Sequence, residues 1–206
     1  LRQLPMPLGV SGLSPQRLAG AHGRAYLPKN TYVVGRAGGA DAATATDIVA
    51  GGNLAASLAY GDVTAAGVGT ATSVCDGRVV GFGHPMSFLG TTTMSLHPAD
   101  AIYVQEDPLG PPFKVANLAA PVGTITDDHL TGITGTFGSL PEAMTVTSTV
   151  TKGARARTGS TEVTVPTASA EITFYQQLAN HDRVVDGIVA GSEAQSWTIH
   201  GTGPSG

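Results

Sequence analysis

Apolar and polar residues alternate through the middle of the chain, the two-residue period of a strand with one buried face. Leu54, Ala56, Leu58 and Tyr60 follow it, and a β-rich run from Val63 to Cys75 comes next. That run meets Asp76-Gly77 and leaves through Arg78-Val79-Val80-Gly81-Phe82. Asp-Gly between two such runs predicts a hairpin, because a two-residue type I′ turn needs φ > 0 at both positions. Further strands are predicted at Thr92 to Leu96, Ala101 to Gln105, Phe113 to Val115, Val122 to Thr126, Gly132 to Phe137, Met144 to Thr151 and Thr161 to Val165. Pro98, Pro108, Pro111, Pro121, Pro141 and Pro166 punctuate them, since proline brings no N–H to a ladder. Many short strands at this spacing predict a barrel or sandwich.

Two helices interrupt the pattern. Ser14-Pro15-Gln16-Arg17-Leu18-Ala19 places a capping residue before a proline at the first helical position, predicting a short helix that closes near Gly20 or Gly23. Later, Phe174, Leu178, His181 or Asp182, Val185 and Val189 recur at helical spacing, with Gly191 available as the stop. Between Gly35 and Gly52 the residues are too small and polar to anchor a core, which predicts a mobile loop or linker. Gln195-Ser196-Trp197-Thr198-Ile199-His200 reads as a strand entering something outside these residues, and no internal repeat is evident.

Composition narrows the function classes. The 206 residues include 28 Gly and 13 Pro, which favours tight turns over long helices. A net charge of −4, from 11 Lys and Arg against 15 Asp and Glu, gives no basic surface for phosphates, so nucleic acid is not an expected partner. The lone Cys75 excludes an intrachain disulfide framework and any multi-cysteine zinc site. No apolar run approaches the roughly 20 residues of a membrane span. The opening Leu1-Arg2-Gln3 reads as the start of a processed or excised piece.

His84 is the residue whose setting points to chemistry. It lies in Gly81-Phe82-Gly83-His84-Pro85, at the end of a hairpin arm, between glycines that permit close backbone approach and a proline that stops the ladder. An imidazole so placed can relay a proton for a hydroxyl nucleophile, or simply bond a turn carbonyl. His84, His97, His129, His181 and His200 lack the short spacings of a zinc site, and Gly35 to Gly39 and Gly67-Val68-Gly69 lack the lysine of a phosphate loop. No cofactor and no metal is expected.

Gly61-Asp62-Val63, Gly67-Val68-Gly69-Thr70-Ala71-Thr72 and Asp76-Gly77-Arg78-Val79-Val80-Gly81-Phe82-Gly83-His84-Pro85 form an ordered series. It continues through Phe113-Lys114-Val115-Ala116-Asn117, Val122-Gly123-Thr124-Ile125-Thr126-Asp127-Asp128 and Leu130-Thr131-Gly132-Ile133, with Pro7-Leu8-Gly9-Val10-Ser11-Gly12-Leu13-Ser14-Pro15 at the start. The series resembles the core of the stage IV sporulation protein B (SpoIVB) peptidase family, which are serine endopeptidases, over most of the chain to about Thr151. The resemblance implies a chymotrypsin-like double β-barrel over residues 1–170, with residues 171–206 as a helix and strand leading out. It implies that His84 is the catalytic base and that the partner is a peptide or protein substrate, or the flanking segment of the chain's own precursor. It also implies a secreted or cell-envelope location.

The family's nucleophile lies in a Gly-x-Ser-Gly-x-Pro segment, and none follows His84, so the serine and its orienting acid are expected outside these residues. Local alternatives are Ser11 in Gly9-Val10-Ser11-Gly12, Ser139 in a glycine-rich turn, and the turn carboxylates Asp100, Asp127 and Asp128. The rival expectation is a non-catalytic β-barrel module of a secreted or envelope protein.

Overall fold

The computed structural model of the chain describes residues 8–14, 17, 32–33, 47–106, 112–187 and 189–202. The strands are β1 (Leu8–Ser11), β2 (Tyr32–Val33), β3 (Asn53–Gly61), β4 (Thr64–Cys75), β5 (Arg78–Gly81), β6 (Gly90–Gln105), β7 (Phe113–Leu118), β8 (Gly123–His129), β9 (Gly132–Phe137), β10 (Met144–Lys152) and β11 (Arg155–Val163). A 3-10 turn, Pro166–Ala168, leads into the helix α1 (Ser169–Val185).

Six strands close a ring in the order β3-β6-β8-β9-β5-β4, every pairing antiparallel, with β4 returning to β3. Closure removes the free edges that an open sheet would expose. Inward positions from all six strands form one core: Leu54, Ala56, Leu58, Ala65, Ala71, Val79, Met94, Leu96, Ile125 and Ile133. The wall supplied by β4 is thin for a reason. A Cβ on Gly69 would lie 2.2 Å from the Phe82 ring, so glycine there makes room for an aromatic side chain delivered from the loop after β5.

Other elements decorate the barrel. β1 pairs with β4, and β2 runs parallel to β1. Among the described residues β7 pairs only with β6, outside the ring, where Ala55, Ala66, Ala99, Ala116 and Leu118 form a second small apolar cluster. The β10–β11 hairpin reaches the barrel through Thr161–Val163 of β11, which pair with Ala59–Gly61 of β3. α1 packs across one face of that hairpin and buries Ile172, Tyr175, Ala179 and Val184. Among the described residues no helix is long and apolar enough to cross a membrane.

The Asp76-Gly77 hairpin forms as expected, with φ of 49° and 72° at its two turn residues. Elsewhere the structure corrects the sequence reading. β6 runs without a break through Pro98, which marks where the strand leaves its barrel partners for β7, and its carbonyl accepts from Ala119 N–H at 3.0 Å. Asp127 and Asp128 belong to β8 rather than to a turn. α1 starts before Phe174 and stops at Asp186, whose left-handed φ of 56° ends it before Gly191 is reached. Ile48 is buried in the core, so the end of the expected linker is an anchor. Gln195 to His200 is exposed and carries no strand pairing. The N-terminal helix falls mostly outside the described residues; of it, Ser14 accepts the Arg17 N–H at its carbonyl and at its hydroxyl.

Polar contacts tie α1 to the barrel. Arg157 on β11 donates to both Asp62 oxygens at 2.7 and 2.8 Å and to Asn180 Oδ1 at 2.8 Å, and Asn180 donates back to the carbonyls of Ser148 and Arg157. The bonds from Arg157 hold the Asp62 carboxyl below its ordinary pKa, against an opposing desolvation. Arg157→Ala removes the two short bonds to that carboxylate, leaving it Gln176 Nε2 at 3.4 Å and Arg183 at 3.6 Å, and takes the Arg157 donor from the Asn180 oxygen. It should lower stability by about 2 kcal/mol, less than for a fully buried pair because both side chains keep some solvent contact. A urea titration of the two proteins checks this, and an unchanged midpoint contradicts it.

Candidate functional site

β5 ends at Gly81, and the chain then crosses one end of the barrel before β6 begins at Gly90. Four residues of this crossing have left-handed φ: Phe82 (71°), Gly83 (74°), Phe88 (57°) and Gly90 (72°). Two of them are phenylalanines, for which the conformation costs roughly 1 kcal/mol or more and persists only where other contacts impose it. Those contacts have two sources. Phe82 and Met86 turn inward and pack on the core above Gly67 and Gly69. Below them, the Asp128 carboxylate is fully buried and accepts the backbone N–H groups of Met86 at 2.7 Å, Ser87 at 2.8 Å and Leu89 at 3.2 Å. Charge-assisted bonds to three amides offset the burial of one carboxylate and fix the loop to β8.

His84 sits on the exposed side of this loop, between the inward-facing Phe82 and the amides held by Asp128. Its Nδ1 lies 3.0 Å from the Pro85 carbonyl. A carbonyl only accepts, so Nδ1 carries the hydrogen and the neutral ring keeps its Nε2 lone pair. Phe82 supports the ring from one side, with 5.6 Å between centroids. Among the described residues, Nε2 has no hydrogen-bond partner.

The β8–β9 turn is pressed against the root of the same loop. A Cβ on Gly132 would meet the Gly81 carbonyl at 2.7 Å, which accounts for glycine there. This turn brings Asp127 and His129 to the same end of the barrel. Asp127 accepts the hydroxyls of Thr126 at 2.8 Å and Thr134 at 3.0 Å and lies 3.6 Å from His129. The Thr126 bond first, then Thr134 and His129, hold its pKa below the ordinary carboxylate value. Both neighbouring carboxylates are thus committed, Asp128 to amides and Asp127 to hydroxyls.

The other sequence candidates lie elsewhere. Ser11 pairs opposite Thr64, whereas the root of the loop meets Thr70; that is on the order of 20 Å along β4. Ser139 follows the far end of β9, whose near end pairs with Gly81, again on the order of 20 Å from the loop. Asp100 is carried out along β6 to the β7 pairing, opposite Asn117. Neither serine nor Asp100 is brought to His84.

The structure forms a serine–histidine pair that the sequence reading missed. Ser57 Oγ on β3 lies 2.8 Å from His97 Nε2 on β6, and His97 Nδ1 lies 2.9 Å from the Ala119 carbonyl. The same logic places the hydrogen on Nδ1, so the serine donates to Nε2. Ser57 and His97 are 0% and 1% exposed, and Tyr60 packs edge-on to the imidazole. The distances suit a nucleophile and its base, but no substrate reaches them, so the pair cross-braces β3, β6 and the segment after β7. Burial pushes the His97 pKa down to about 4 despite the Ala119 bond. Among the described residues, no three His, Cys, Asp or Glu side chains converge on a metal position. No family model, no curated protein and no solved structure matches the chain.

Two outcomes follow from this geometry. Asp128→Ala leaves three loop amides without their acceptor and should cost about 3 kcal/mol in thermal unfolding. Hydrogen exchange at Met86, Ser87 and Leu89 should accelerate in that variant while the β3–β4 ladder stays protected, and unchanged exchange at the three amides contradicts the anchor. His97 supplies the second. Its folded pKa of about 4 lies below the ordinary 6.5, so the unfolded chain binds the extra proton between those values. Its contribution is complete above pH 6.5 and is lost as pH falls to about 4, an effect of about 3 kcal/mol. His97→Gln should flatten that part of the stability–pH profile, and an unaltered slope excludes the assignment.

Proposed function

We propose that this chain is the base-bearing part of a serine-type endopeptidase, with His84 as general base and the nucleophilic serine and orienting acid supplied from outside these 206 residues. The observation that carries the reading is the state of one ring: Nδ1 tied to a carbonyl, Nε2 without a partner among the described residues, on an exposed loop pinned by a buried carboxylate. A serine hydroxyl docked against Nε2 would pass its proton there on attacking a peptide carbonyl, and the imidazolium would return it to the leaving amine. The Pro85 carbonyl holds the ring in that tautomer here, at the nitrogen the orienting acid would take over in the complete enzyme. The similarity to the sporulation peptidases adds the substrate class, a peptide or protein, and a place in the secreted or envelope compartment. It also adds the chymotrypsin-like arrangement, in which the closed six-stranded ring is one barrel and a second barrel belongs to the complete enzyme.

One observation favours a second reading, a non-catalytic β-barrel module: the two in-chain serines weighed as nucleophiles lie far from His84, and the adjacent carboxylates are already bonded. The readings part on a simple assay. The chain with its native flanking sequence should hydrolyse a peptide or process itself, and His84→Ala should abolish this at an unchanged melting temperature. Equal turnover in the variant rejects His84 as base; no turnover in the unmodified protein favours the binding module.

A further inference from the structure

β10 ends the sheet. It pairs with β11 on one side, and its other edge has no strand against it among the described residues. Natural edges of this length are usually interrupted by charge, proline or a bulge. Met144 to Thr151 contains none of these, the one charge of β10 being Lys152 at its end, and the nine-residue ladder from Met144 to Lys152 runs against β11 without a register shift. An uncharged, regular, β-branched edge is a template for another strand.

The residues on that edge identify the strand. Thr145-Val146-Thr147-Ser148-Thr149-Val150-Thr151 reads the same in both directions about Ser148. A two-fold interface demands self-complementarity, and an antiparallel pair of identical strands centred on one residue places each position opposite its mirror in the sequence. Thr145 then faces Thr151 of the second copy, Val146 faces Val150, Thr147 faces Thr149, and Ser148 faces Ser148. Like side chains meet at every step and no charge is opposed. The threonines lie on the exposed face and the valines on the half-buried face toward α1. Cross-strand threonine pairing already operates here, because Thr149 and Thr158 share a hydroxyl bond of 2.8 Å between β10 and β11.

Space for a partner strand is present. A groove of about 580 Å³ runs along the edge, between β10, the α1 residues Gln177, His181 and Val185, and the C-terminal segment around Trp197. Among the described residues that segment is tethered through Glu193 at 3.4 Å from His181, and Trp197 is 57% exposed. We propose that two copies of this chain pair through their β10 edges about a two-fold axis at Ser148, making one sheet continuous across both molecules. The inference stands apart from the reading of His84.

Sedimentation equilibrium on the chain over a wide concentration range tests it. The apparent mass should rise from one copy to two. Thr147→Lys with Thr149→Lys opposes four like charges across the axis and should weaken association by at least about tenfold. Thr147→Glu with Thr149→Glu should do the same, and mixing the two variants should restore the pair. A chain that stays single throughout, or a lysine variant that associates as the unmodified chain does, overturns the proposal. Hydrogen exchange on the unmodified protein covers the case in which a variant fails to fold. The outward amides of β10 should gain protection as concentration rises; protection independent of concentration assigns the edge to the chain's own C-terminal segment and also overturns it.

Discussion

One buried carboxylate organises the end of this barrel. Asp128 occupies an inward position near the end of β8, where an unpaired charge would be strongly destabilising. The amides of Met86, Ser87 and Leu89 neutralise that cost, and the loop can present them only by folding back over the barrel with left-handed residues at Phe82, Gly83 and Phe88. The same fold-back drives Phe82 and Met86 into the core. The thin β4 wall at Gly67 and Gly69, the strained loop and the outward placement of His84 are therefore parts of one arrangement.

Polar contacts of the same kind hold the periphery. Asp62, Arg157 and Asn180 fasten α1 and the outer hairpin, and Ser57, His97 and Ala119 fasten β6 to β3 beneath β7. Lys114 secures β7 itself, donating to Asn53 and Thr70, with its pKa lowered by desolvation. Each link joins residues far apart in sequence. A barrel with so many alanines and glycines in its walls has modest apolar area, and these satisfied polar links add specificity to the hydrophobic contribution.

The strands were legible where local chemistry decides them. Asp76-Gly77 can do little but turn, and the alternation of Leu54, Ala56 and Leu58 marks one face of β3 inside the barrel. Pro98 misled because a proline at the point where a strand changes partners loses no ladder bond that matters. Asp127-Asp128 looked like a turn because two adjacent acids seldom sit in a strand, and the amides that make Asp128 acceptable lie some forty positions upstream. Strict alternation gave no signal either: it runs from Gly123 and Ile125 to Asp127, and a register shift between Ile125 and Asp127 is what turns Asp128 inward instead. Ser57 and His97 left no trace in spacing, because their meeting depends on β3 lying beside β6. His84 was visible through its flanking glycines and proline, but its tautomer follows from the Pro85 carbonyl alone.

The most direct test of this account is the ring tautomer of His84, read from nitrogen-15 chemical shifts of its imidazole at alkaline pH. The account requires hydrogen on Nδ1 and a bare Nε2, in a single ordered state. Hydrogen on Nε2, or rapid averaging between the two forms, would contradict it.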